Sequence, residues 1–203
     1  MGKQPLSIAR NTLYNTLGSC FYLACQWLMT VAVSRLSGVE DGGILTLAMS
    51  VTNMFYTLSV FGVRTFQVSD FQRKYTSGQY VTARLVTCAL AFLLCAAYSL
   101  LNPAHTGQEA ACIIVYMIFR TGEALSDENQ ALQQTEGRMD TVCWSFLARG
   151  ILLIVSFSAV LAWTGNLLWT FGAISLATGL VVCCYEFPMS RRMTEIRVNL
   201  RDR

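Results

Sequence analysis

Residues 81–101 read VTARLVTCALAFLLCAAYSLL, an apolar run whose one charge is Arg84. A helix needs roughly 20 mostly apolar residues to cross a hydrocarbon core, and this run is long enough. Runs of the same kind recur at about 11–34, 42–66, 109–130, 141–163 and 166–187. Six such spans occupy most of the 203 residues, so little chain remains for a soluble domain. Composition agrees: 54% of the residues are apolar and 13% charged, against a charged share of about 25% in soluble domains.

Each break between runs has a local cause. Gly38, Gly42 and Gly43 flank the acidic pair Glu40 and Asp41, and Arg73, Lys74 and Gly78 interrupt the second break. Asn102, Pro103, His105 and Gly107 form the third, Thr164, Gly165 and Asn166 make a tight turn, and Pro188 is expected to stop the last helix. The expectation is an all-α polytopic membrane protein: a bundle of about six helices over residues 1–188 and a basic cytoplasmic tail over 189–203. Short loops imply antiparallel neighbours.

Basic residues collect on one side. Lys3, Arg10, Arg73, Lys74, Arg84 and Arg138 share it with Arg191, Arg192, Arg197, Arg201 and Arg203, whereas the opposite loops carry Arg35. That asymmetry implies cytoplasmic termini in a cell inner (plasma) membrane. Met1–Arg10 reads as the lead into a retained first span, because no small-residue cleavage site and polar mature domain follow. The basic tail reads as a contact for anionic headgroups, not for nucleic acid.

Several chemistries are disfavoured. The eight cysteines fall almost wholly inside apolar segments without a CxxC pair, and read as small core residues. His105 is the single histidine, which leaves too little for a histidine zinc site or a Ser/His/Asp triad. With neither a GxSG nucleophile turn nor the DGxxAR pattern of lipid alcohol transferases, no enzymatic activity, cofactor or metal is expected.

Arginine at a bilayer centre costs on the order of 2.5 to 3.5 kcal/mol, so it faces a partner or a wet cavity. At about 1.5 Å per residue, Arg149 lies roughly 13 Å into span five and Arg120 roughly 16 Å into span four. Arg64, shortly before Asp70, lies nearer the cytoplasmic surface. On span four Arg120, Glu123, Asp127, Gln130 and Gln134 recur at steps of three and four, which puts them on one helical face. Either this face is an intrahelical ion-pair ladder against the bundle, or it is one wall of a hydrated cavity. Its carboxylates outnumber its arginine, so Arg64 or Arg149 is expected as the balancing charge. Gln26 and Asn53 add uncharged groups able to bond between helices.

The run Gln26-Trp27-Leu28, then Arg35-Leu36-Ser37-Gly38, Gly43 to Ser50, and Phe61-Gly62-Val63-Arg64 with Gln67, Ser69 and Asp70 resembles the amino-terminal half of Wzx-like polysaccharide-biosynthesis flippases. These belong to the multidrug/oligosaccharidyl-lipid/polysaccharide exporter (MATE-like) superfamily. Glu123-Ala124, Asp127, Gln134, Arg138-Met139-Asp140, Ser145-Phe146 and Arg149-Gly150 are similar to its fourth and fifth helices. The likeness runs from Asn11 to Tyr185 and rests on order and spacing. The chain departs from the family at Gln130-Ala131, where His-Gly is frequent, and in length, since members carry two lobes and this chain reads as one.

The resemblance implies translocation of an undecaprenyl-pyrophosphate-linked oligosaccharide for polysaccharide, O-antigen or capsule biosynthesis, by a half-length flippase completed by a second six-helix lobe or another copy. It implies substrate contacts at Arg64, Arg120, Arg149, Gln26 and Asn53, with Asp70, Glu123 and Asp127 as orienting or ion-coupling acids. The alternatives are a structural partner subunit or inactive fragment, and a small-molecule exporter of the same superfamily.

Overall fold

The computed structural model describes residues 7–70 and 74–193. In order, the chain forms α1 (Ile8–Leu36), α2 (Val39–Val60), α3 (Val63–Ser69), α4 (Ser77–Leu101), α5 (Gly107–Thr135), α6 (Met139–Thr164) and α7 (Leu167–Val181). A π-helical turn (Val182–Glu186) and α8 (Phe187–Met193) follow. We refer to the end that carries Ile8, Ser69, Ser77 and Met139 as the near end, and to the opposite one as the far end.

The protein is all-α and polytopic. Five stretches are long and apolar enough to cross a membrane: Ile8–Leu36, Val39–Ser69, Ser77–Leu101, Met139–Thr164 and Leu167–Ser190. The exception among the long helices is α5, which has 29 residues but too many polar ones. It is the central helix, with α2, α3 and α4 on one side and α6 and α7 on the other. Ile113, Met117, Phe119, Ala124 and Ala131 on it are fully buried. A helix so enclosed has no need of a lipid-compatible surface, so its polar residues are tolerated where its neighbours can satisfy them.

Local chemistry starts and stops these helices. Thr76 with Gln79, and Thr106 with Glu109, form reciprocal capping boxes at the starts of α4 and α5. Gly165, at φ 59°, makes the left-handed turn between α6 and α7. Trp144 and Trp163 on α6 are 65% and 89% exposed. Their separation of roughly 28 Å along the axis matches a hydrocarbon thickness of about 30 Å, as two interfacial belts require.

Glycines set the closest helix contact. A Cβ on Gly18 of α1 would meet the Cys143 Cα at 3.0 Å, and one on Gly150 of α6 would meet Phe21 at 3.0 Å and the Cys25 Sγ at 3.1 Å. Such close approach is what associates helices in lipid. Gly150→Leu is therefore expected to cost about 1–3 kcal/mol, read as a lowered melting temperature in detergent. Gly172→Leu, where an added Cβ meets nothing within 4 Å, should melt like the parent chain.

Two boundaries differ from the sequence expectation. The span expected over 42–66 is broken at Phe61 and Gly62, whose φ angles of 36° and 66° are both left-handed. Glycine makes such a reversal accessible, and α3, which carries Arg64, starts afresh beyond it. Pro188 does not stop the last helix. It lies in the first turn of α8, where a missing N–H costs little, and the wider π-helical turn before it relieves the clash of its ring with the preceding carbonyls. The bundle therefore continues past residue 188: Ser190 is buried and its hydroxyl donates to the Asn129 carbonyl at 3.4 Å. Residues 194–203 of the expected tail, with Arg197, Arg201 and Arg203, lie outside the described residues, as do Lys3 and Arg73.

Candidate functional site

Midway along α5 the bundle holds a network of charges. Asp127 accepts from Arg64 of α3 at 2.7 Å through one oxygen and from Arg84 of α4 at 2.9 Å through the other. Arg64 also donates to the Gln134 side chain at 2.8 Å. Arg84 donates to the Ser59 carbonyl at 3.0 Å, and its Nε lies 3.6 Å from Glu128. One turn toward the far end, Glu123 accepts from Arg120, from the Tyr22 hydroxyl at 2.5 Å and from Gln26 at 2.9 Å. Arg120 reaches on to Asn53 at 2.7 Å and stacks 4.0 Å over the Tyr56 ring.

Arg149 is held differently. It is 4% exposed, its Nε lies 3.5 Å from Glu186, and its guanidinium sits 4.9 Å and 5.2 Å from the Tyr22 and Phe146 rings. The same Glu186 oxygen also accepts from Ser126 at 2.5 Å and from Ser145. Arg64, Arg84 and Arg120 all donate hydrogen bonds to acceptors. Arg149 donates none to any described residue.

Two cavities border this network. One of about 140 Å³ is lined by Tyr22, Tyr56, Arg64, Glu123, Asp127, Gln130, Phe146 and Arg149. The other, of about 300 Å³, is lined by Gln26, Met49, Ser50, Asn53, Tyr116 and Arg120. Both lie in the seam between α1 and α2, with α5 as back wall. Consecutive as they are, α1 and α2 touch only sparsely, since α1 packs on α6 and α2 on α4 and α5. Four carboxylates, Glu123, Asp127, Glu128 and Glu186, face four arginines in the network. Its net charge is zero when all are ionised, which lowers the cost of holding it away from water.

Of the residues expected at the site, Arg64, Arg120, Arg149, Gln26, Asn53, Glu123 and Asp127 converge on these two cavities. Asp70 does not. It caps α3 at the near end and accepts from the Lys74 and Tyr75 backbone N–H groups and from the Tyr80 hydroxyl. Those backbone donors hold its carboxyl below the ordinary value. Arg64 is the balancing charge expected for Asp127, whereas Arg149 turns to Glu186 instead.

Arg84, read from the sequence as one of the basic residues flanking the spans, has no exposed surface. Because α4 starts at Ser77, Arg84 is two turns inside the bundle, where Asp127 and Glu128 draw it inward. Glu128 and Glu186 also escaped the sequence reading. The single charge of the 81–101 run and the surplus of carboxylates on α5 were the signals that could have paired Arg84 with Asp127 and Glu128; no such signal marked Glu186.

Fold and site together define a polytopic helical membrane protein with a charge-balanced polar network inside its bundle. No known family model, curated protein or solved structure matches the chain.

Proposed function

We propose that the protein takes part in moving a lipid-linked oligosaccharide, with a polyprenyl-pyrophosphate anchor, from the inner to the outer leaflet of the plasma membrane. The single observation that carries this reading is Arg149, a buried guanidinium that donates no hydrogen bond to any described residue and lines a cavity of about 140 Å³. A planar guanidinium offers paired donors that match phosphate oxygens, and burial strengthens such bonds. Gln26, Asn53 and Arg120, around the adjoining cavity, supply polar groups suited to sugar hydroxyls. Glu123 and Asp127 orient the arginines. Both termini face the cytoplasm in this reading, and a second six-helix lobe, or another copy, closes the open side of the α1–α2 seam, since alternating access needs two bundles that move against each other.

The test is binding. With the chain in nanodiscs and a fluorescent oligosaccharide on polyprenyl pyrophosphate as probe, Arg149→Ala is expected to weaken affinity by about 2 kcal/mol or more. Arg149→Lys, which keeps the charge and loses the fork, should fall between. A probe lacking the pyrophosphate should bind parent and variants alike. Equal affinity of parent and Arg149→Ala for the pyrophosphate probe would remove the assignment. It would favour a structural partner subunit, a reading to which the carboxylate pairing of Arg64, Arg84 and Arg120 already lends weight.

A further inference from the structure

The break between α2 and α3 is the strained point of the backbone. Phe61 is the one non-glycine residue with a positive φ among the described residues, and its side chain is exposed, so burial of the ring does not offset the strain. Yet Val39–Ser69 has the length and apolar character of a single span. In an unbroken helix the Ser59 carbonyl would accept the Val63 N–H. Here it accepts from the Arg84 guanidinium at 3.0 Å and from the Thr87 hydroxyl at 2.8 Å, so two side chains of α4 hold the bend.

The bend in turn places Arg64. One guanidinium nitrogen donates to Asp127 at 2.7 Å and the other to Gln134 at 2.8 Å, two turns further along α5. Asp127 lines the inner cavity of about 140 Å³, whereas Gln134 lines a groove of about 390 Å³ at the near end, with Thr65, Val68 and Ser69 of α3. Arg64 lines both. Its side chain therefore stands between the inner cavity and the near end.

We propose that Arg64 is a gate between the two, closed while α2 and α3 are bent at Phe61 and open when they straighten into one helix. Straightening exchanges bonds without stranding a buried charge. The Ser59 carbonyl passes to the Val63 N–H, and α3 swings off α5 and takes Arg64 with it. Asp127 keeps Arg84 on its other oxygen at 2.9 Å. Arg64, whose side chain is already 28% exposed, exchanges its acceptors for water in the groove. The Tyr80 hydroxyl gives up Asp70, a bond of 3.0 Å between half-buried residues. Strain at Phe61 favours the open form, and the bonds of Arg64, Arg84 and Thr87 favour the closed one, which makes a two-state element. The gate is independent of what the Arg149 cavity binds, and so of the transport reading.

The experiment reads access to the inner cavity, with the full chain in nanodiscs, where both ends meet water. Gln130→Cys, which lines that cavity, is the reporter, and Ser50→Cys, which lines the cavity of about 300 Å³ in the α1–α2 seam, is the control. Each is labelled with an anionic, membrane-impermeant thiosulfonate, and modification at that one residue is followed by peptide mass spectrometry. Arg64→Ala removes the barrier and should raise the rate at residue 130 the most. Thr87→Val removes one bond that holds the bend and should raise it about fivefold. Phe61→Gly relieves the strain of the bent form and should lower it about fivefold. Neither Phe61 nor Thr87 lines the groove or the inner cavity, so their effects must pass through the bend. The rate at residue 50 should stay constant throughout. An unchanged rate at residue 130 in Arg64→Ala would overturn the barrier. Rates there that fail to move in opposite directions in Thr87→Val and Phe61→Gly would overturn the bend as the moving part. A rise at residue 50 equal to that at residue 130 would mean a loosened bundle and would overturn the gate as a whole.

Discussion

Arg84→Ala is expected to give a chain that inserts but melts far below the parent, with a loss of about 3–5 kcal/mol. The side chain has no exposed surface and three tasks: it bonds Asp127 at 2.9 Å, caps the Ser59 carbonyl at 3.0 Å and faces Glu128 at 3.6 Å. Deleting it leaves the buried Glu128 without its cation and the half-buried Asp127 with Arg64 alone, and it leaves the Ser59 carbonyl, where α2 ends, with Thr87 at 2.8 Å as its remaining side-chain donor. Water cannot easily replace those bonds at this depth. The check is thermal unfolding in detergent, with a rescue arm: Glu128→Gln added to Arg84→Ala should recover part of the loss, because it removes an uncompensated charge. A parent-like melting temperature for Arg84→Ala would mean that the network adds nothing to stability.

The second large effect is expected at Glu186. It has no exposed surface and gathers Ser126 of α5, Ser145 of α6 and Arg149 of α6 around one oxygen. The π-helical turn that it ends adds a residue to the local repeat, and so rotates Glu186 toward those groups. Glu186→Ala strands a buried guanidinium and two hydroxyls, and should cost about 3–5 kcal/mol. Glu186→Gln keeps an acceptor for the serines and should cost less. The diagnostic measurement is the double variant with Arg149→Met. If the two charges support each other, combining the substitutions should cost less than their separate losses together, by about 0.5–3 kcal/mol. Strict additivity would show that the 3.5 Å approach is not an energetic pairing.

Both predictions concern residues that one-dimensional reading passed over, and the reason is physical. A step of three or four along a helix marks residues that share a face, so Arg120, Glu123 and Asp127 could be grouped without coordinates. Arg84 and Asp127 lie on different helices, and no spacing rule relates them. Arginine near a span end reads equally well as a rim charge or as a buried one; the start of α4 at Ser77 and the position of α5 choose between these. Glu186 is harder still, since an ordinary 3.6-residue repeat through Val182–Glu186 would aim it elsewhere.

The linear chain was enough to establish an all-helical membrane architecture, because lipid leaves backbone polar groups no partner but their own helix, and that demand writes itself into long apolar runs. It also marked the unusual helix, 107–135, through its misplaced charges. Which helix stands at the centre, which arginine meets which acid, and that Arg149 approaches Glu186 while donating no hydrogen bond to any described residue all depend on how the helices lie side by side. Lipid-facing apolar residues fit many such arrangements almost equally well. The choice falls to contacts a few ångströms long, glycine against backbone and guanidinium against carboxylate, made between residues far apart in the chain.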